Sequence, residues 1–190
     1  PYSFEKARLV IREMADQLAL DLVERDLVTD KLTLTVGYDR INLLDPEQRR
    51  QYRGAIAKDP YGREIPRHAH GTVNLENPTS STKAILGAVS ALFDRIVDHD
   101  LLIRRLCLTA NRVLSADKAA DAPVWEQLDL FAGDTDPKCR AAALARERRI
   151  QTAVLDIRKK YGKNAILKGM NLEDGATARE RNRQVGGHHE

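Results

Sequence analysis

Cysteines, aromatic residues and long apolar runs are all scarce in this chain. Its 190 residues include two cysteines, and 5% are aromatic. Cys107 and Cys139 have neither CxxC spacing nor a neighbouring ligand cluster, so a disulfide framework is excluded and a reducing cytoplasm is expected. No run of about 18 apolar residues occurs, which excludes a membrane-spanning helix. The opening residues 1–10 show no basic-then-apolar leader and no starting Met, so the chain is expected to be a processed or excised piece of a longer one. No glycine-rich stretch fits a P-loop or a dinucleotide fingerprint.

What is present suffices for one to one-and-a-half domains with a real core. Hydrophobic residues make up 42% of the chain and charged ones 31%, with a mean hydropathy of -0.47. The formal net charge of +3 averages over unlike blocks. Basic residues outnumber acidic ones 7 to 4 over residues 40–70, 3 to 0 over 101–114 and 8 to 2 over 137–161. The balance reverses to 1 against 6 over 115–136. Alternation of this kind points to a nucleic-acid partner.

Residues 4–26 carry Ala7, Val10, Ile11, Met14, Leu18 and Leu22 at helical spacing, with Ser3 placed as an N-cap. Leu32, Leu34, Val36 and Tyr38 alternate with polar residues and predict a half-buried strand. Residues 40–69, punctuated by Pro46, Gly54, Pro60, Gly62 and Pro66, predict a long basic excursion with a short helix near 46–56. A strand follows at Thr72–Glu76, with Val73 and Leu75 inward. The cap-rich segment 77–82 then opens a helix to about Asp98. A third strand is expected over Ile103–Val113, with Leu106, Leu108 and Ala110 inward. The order α-β-loop-β-α-β predicts an α+β fold with both helices on one face of a sheet. A further strand before Pro1 would complete a βαββαβ unit.

The remaining residues divide into an acidic linker at 115–136, a basic helix at 137–161 and a weakly structured tail at 162–190. The helix carries a narrow stripe of Ile150, Val154, Ile157 and Tyr161, expected to pack on a neighbour. The linker holds one apolar island, Val124–Trp125 and Leu128–Phe131. Exposed, such an island costs solubility. Either a partner groove takes Gln127, Leu128, Asp129, Leu130 and Phe131 as a peptide, or Trp125, Leu130 and Phe131 fold back on the domain.

Gln127–Phe131 resembles the QLxLF sliding-clamp-binding motif of bacterial polymerases and repair proteins. The α-β-β-α-β unit before it resembles the little finger domain of Y-family translesion DNA polymerases, and Ile103-Arg104-Arg105-Leu106 is similar to the start of that domain's last strand. Tyr161–Asn164, Leu167–Gly169, Arg179–Arg181 and Gly186–His188 resemble the C-terminal end of UmuC-like, ImpB/MucB/SamB-type members from Gram-positive bacteria.

This resemblance implies a little-finger-like DNA-binding domain at 1–114, a clamp-binding linker at 115–136, the basic helix and the tail. It implies no catalysis and no cofactor in this chain, because nothing matches the palm carboxylates that hold magnesium. The implied partners are a primer–template, the sliding clamp (β subunit) and the remaining polymerase domains, with no membrane. Arg104, Arg105 and Arg112 are the expected phosphate contacts, with Thr72 and Asn74 beside them. A stand-alone adaptor, binding protein through its sheet and basic helix, is the rival expectation. His68 and His70 have no further ligand to complete a metal site, and Ser80, Ser81 and Thr82 fit capping better than nucleophilic chemistry.

Overall fold

A computed structural model describes residues 1–120 and 137–184. Helix α1, Phe4–Glu24, buries Ala7, Ile11, Ala15, Ala19 and Leu22, a stripe at spacings of three and four. Ser3 occupies the N-cap position without a side-chain capping bond; its carbonyl accepts from Ala7 N–H at 2.9 Å. At the other end Asp26, at φ 54°, turns the chain into strand β1, Leu27–Tyr38.

Strand β1 is the centre of the sheet. It pairs antiparallel with β4, Ala69–Thr79, on one side and with β5, Ile103–Asn111, on the other. Leu32 lies opposite Val73 and Ala110, Leu34 opposite Gly71 and Leu108, and Val36 opposite Ala69 and Leu106. These rows face α1 and helix α3, Thr82–Ile96, whose Ile85, Val89, Leu92 and Phe93 are buried in the same core. Two helices on one face of an antiparallel sheet confirm the α+β expectation. Gly71 is where α3 comes closest, because a Cβ there would sit 2.9 Å from Leu92 Cδ1 and 3.0 Å from Ile96 Cγ2.

Ser81 caps α3, accepting from Ala84 N–H at 3.2 Å. Tyr2 makes a two-bond antiparallel bridge to Ile103, both bonds at 2.7 Å, on the edge of β5 away from β1.

The excursion contains a 3-10 turn at Arg40–Leu43, the expected short helix as α2, Pro46–Gln51, and a hairpin the sequence did not announce. That hairpin pairs β2, Ile56–Lys58, with β3, Glu64–Pro66. Asp59 closes its turn by accepting from the N–H groups of Tyr61 and Arg63, both at 2.9 Å, and from Arg63 Nε at 2.7 Å. The third core strand stops at Asn111, short of Val113, because Arg112 adopts φ 48°. A short β6, Leu114–Ser115, then pairs with Leu27 and Val28 before α4, Ala116–Ala120.

Helix α5, Pro137–Tyr161, packs on α1 and on the N-terminal end of α3 chiefly through polar side chains, and of its apolar stripe only Val154 is half-buried. Ile150, Ile157 and Tyr161 remain 56%, 36% and 66% exposed. The face that docks carries Glu147, Arg148, Gln151 and Arg158. Glu147 accepts from Ser81 Oγ at 2.7 Å and from Lys83 N–H at 3.0 Å, so a carboxylate satisfies a first-turn amide of α3. Gln151, buried, donates to Ser80 O and Thr82 Oγ1, both at 2.9 Å, and Arg148 reaches Asp26 at 2.7 Å. The docking surface offered by α3 is polar, so a polar face answers it.

The weak structure expected after residue 161 does not hold for residues 162–184. A 3-10 turn at Gly169–Leu172 and helix α6, Ala178–Arg181, lie against α1. Glu13, its side chain fully buried, gathers them. It accepts from Asn171 Nδ2 (2.9 Å), Thr177 N–H (2.8 Å), Thr177 Oγ1 (3.2 Å), Ala178 N–H (3.0 Å) and Arg181 (3.3 Å). Lys168 pairs with Asp16 beside it, and Lys6 with Asp174 at 2.8 Å.

Candidate nucleic-acid interface

The face of the sheet turned away from the helices is set by the same registers. Lys31 lies between Asn74 and Asn111, Thr33 between Thr72 and Thr109, Thr35 between His70 and Cys107, and Gly37 beside Arg105. None of these eleven residues is acidic, and none is buried. Hydrogen bonds tie the rows across the strands. Thr35 Oγ1 meets His70 Nδ1 at 2.9 Å, and Asn111 Nδ2 donates to Thr33 Oγ1 at 2.6 Å. The surface is therefore a lattice of small hydroxyl and amide groups with a cation at either end of β1. Small side chains keep it low enough for a long, regular polyanion to lie across it.

Arg105 is the expected residue that the structure places on this face. Its Cβ would be 3.3 Å from a Cβ at position 37, so Gly37 leaves room for the arginine stem to cross β1. Thr72 and Asn74 also lie here, in adjacent rows of β4. Arg104 and Arg112 sit at the two ends of β5 instead. A bulge between Gly37 and Tyr38 offsets Arg104, whose guanidinium lies 3.3 Å from the buried carboxylate of Asp39. Arg112 follows the strand in its left-handed turn, with Nε 2.8 Å from Asp30 and Nη2 3.3 Å from Asn74 Oδ1. Pairing reduces the net positive charge that each can present.

Lys31 was missed as a site residue because the strand was expected to begin at Leu32. The signal was there: Lys31, Thr33, Thr35 and Gly37 continue one period-two series. Among the described residues, no carboxylate lies within ion-pair distance of Lys31 or Arg105.

In the excursion, Arg49 pairs with Glu64 and Arg63 with Asp59, and each arginine holds its carboxylate below the ordinary range, chiefly by hydrogen bonding. Two of the acidic residues that dilute this stretch are thus spent on its own cations. Arg50, Arg53, Lys58 and Arg67 remain exposed or half-buried around the hairpin.

His70 is on the sheet face and His68 precedes the strand, so the two do not share one strand face. Among the described residues, no group of three or more His, Cys, Asp or Glu is placed to hold a metal ion, and no helix is long and apolar enough to cross a membrane. Gln127, Leu128, Asp129, Leu130 and Phe131 lie outside the described residues.

The rows paired across β1 thus give an antiparallel α+β unit one face of neutral and basic side chains. Residues 2–130 match the model of the impB/mucB/samB family C-terminal domain, and the chain belongs to that family. That domain is the C-terminal domain of a Y-family polymerase family and is non-catalytic by itself, and family membership implies DNA and the other polymerase domains as partners. No curated protein and no solved structure matches the chain significantly.

Proposed function

We propose that this chain grips primer–template DNA and tethers an error-prone translesion polymerase, of the Gram-positive type, to the sliding clamp. In this reading residues 1–114 form the DNA-binding domain and 115–136 the clamp-binding linker. The helix at 137–161 and the tail at 162–190 follow as separate segments of the same region.

The observation that carries the DNA reading is the sheet face, whose rows paired across β1 hold no acidic residue, the exposed Glu76 lying just beyond them on β4. Arg105 and Lys31 supply charge to phosphates, while Thr72, Asn74, Thr33 and Thr109 supply neutral donors. Such a surface attracts the backbone and reads no bases, which suits an enzyme working on damaged templates. Arg104 and Arg112 hold the two ends of β5 at the margins of the same strip, where their remaining guanidinium N–H groups still face solvent. The clamp reading rests on the sequence Gln127–Phe131, in which Leu130 and Phe131 are the apolar anchors and Gln127 fixes register. Two weak contacts on one chain reinforce each other, because tethering raises the local concentration of each partner.

The test is one preparation with two readouts. Anisotropy of a labelled primer–template is expected to show affinity falling steeply with salt, and affinity independent of salt would overturn the phosphate grip. Capture on immobilised clamp is expected for the native chain and lost for the Leu130→Ala/Phe131→Ala variant. Equal capture of both would overturn the tether.

A further inference from the structure

Beside the polar contacts that dock α5, apolar side chains of the same helix stay partly uncovered and line a groove of about 1100 Å³. Ala84 and Gly87 of α3 form one side, Leu144, Ile150 and Val154 of α5 the other, and Ile166 of the following segment lies at one end. Nothing stands within 4 Å of where a Cβ at Gly87 would be, so the groove is open down to the α3 backbone. Leu144 and Ile150 are more than half exposed in it. Lys83, Arg140 and Arg146 stand around it, exposed and, among the described residues, without a carboxylate in ion-pair distance. Asp16 and Glu147 also line it, but the first is paired with Lys168 and the second accepts from Ser81 Oγ and Lys83 N–H. The uncommitted charges at the rim are therefore cationic and favour an occupant that is apolar and acidic at once.

We propose that this groove is the docking site of the chain's own segment 121–136. Three observations favour that occupant. Its composition fits: Val124, Trp125, Leu128, Leu130 and Phe131 are accompanied by five carboxylates and no lysine or arginine.

Its two ends are also tied to α5, one at the start of that helix and one on its docking side. One joins α5 at Pro137, the helix that forms the wall. The other leaves α4, whose first residue donates from N–H to Asp26 O at 3.0 Å, while the Asp26 carboxylate binds Arg148 of α5 at 2.7 Å.

Reach is sufficient as well. Phe131 is six residues from Pro137 and can span roughly 20 Å, while Ile150 lies about 20 Å along α5 from the same point. Short connections of this kind give effective concentrations on the order of millimolar, so a weak site fills.

The consequence is that one segment has two receptors. If the proposed tether is right, Leu130 and Phe131 leave this groove in order to enter the clamp. The groove does not depend on that reading, and its test uses neither clamp nor DNA.

Trp125 is the chain's single tryptophan, which makes the segment its own reporter. The emission maximum and iodide quenching of the full chain are compared with those of a synthetic 121–136 peptide. The expected result is a blue-shifted, protected tryptophan in the full chain. Gly87→Leu, which fills the groove and favours the helix, and Ile150→Asp, at an exposed position, are each expected to shift emission back to that of the peptide with circular dichroism unchanged. Peptide-like emission from the native chain would overturn the proposal. So would a blue shift that survives Gly87→Leu, since the tryptophan would then be covered elsewhere. A blue shift that vanishes on dilution would assign the groove to a second copy's segment and overturn docking within one chain.

Discussion

The two polar surfaces of this domain use similar side chains in opposite ways. On the sheet, threonines, asparagines and two cations stay exposed or half-buried, and their side chains bond along the surface, to one another, to His70 and, for Asn74, to Arg112 at its margin. On the helical layer, Glu13, Asp16, Ser80, Ser81, Gln151 and Asn171 are buried, and Glu13 and Gln151 alone make seven hydrogen bonds. Buried polar groups contribute geometry, because leaving any one unpaired is costly. Exposed ones contribute little stability and remain free to bind a ligand. The helical layer specifies a structure, and the sheet offers a surface.

Substitutions should separate the two. Glu13→Ala removes the acceptor shared by four residues of the C-terminal segment and should cost about 3 kcal/mol. Denaturant melts should show that loss, and proteolysis should cut residues 162–184 before the sheet opens. Arg105→Ala should change stability by less than about 0.5 kcal/mol, yet lower the salt slope of DNA binding by about one unit. A fall in stability like that of Glu13→Ala would break the contrast.

The smallest effect should come from an exposed pair within the helical layer. Arg8 clasps Asp94 across α1 and α3 at 2.7 and 2.8 Å, and this hydrogen bonding holds the Asp94 carboxyl below its ordinary 3.8. Because the folded value is the lower one, the pair contributes fully above 3.8 and is lost as pH falls through the depressed value. Urea melts at about pH 6 and about pH 3 should differ by about 0.5 kcal/mol less in Asp94→Asn than in the native chain.

Strict periodicity made the core legible. The alternation from Leu32 to Tyr38 and the helical stripe from Ala7 to Leu22 each reflect one buried face, and both appear where the pattern put them. The β2–β3 hairpin carries no such pattern, since it is held by Asp59 in its turn and by the Arg49–Glu64 pair. Helix α5 docks within the chain by a face that its apolar stripe does not mark. Apolar residues normally mark the docking face, but the surface awaiting it is the N-terminal end of α3, where unpaired amides and hydroxyls favour Glu147 and Gln151. The burial of Glu13 was equally hidden, because a glutamate inside an amphipathic helix reads as solvent-facing until its distant donors are known. On the sheet, Arg105, Thr72 and Asn74 were legible from strand parity. The offsets of Arg104 and Arg112 were not, since a bulge and a left-handed residue cause them.

The reach of the Glu13 contacts along the chain also orders events in time. Its bond to Thr177 N–H spans 164 residues. At about 5–20 residues per second, synthesis leaves roughly 10 to 30 seconds between the appearance of the carboxylate and that of its donors. During that interval α1 can lie on the sheet with Glu13 still meeting water. The ribosome therefore delivers the donors well after the sheet and its two core helices, and the arrival of Asn171, Thr177 and Arg181 takes the Glu13 carboxylate out of water.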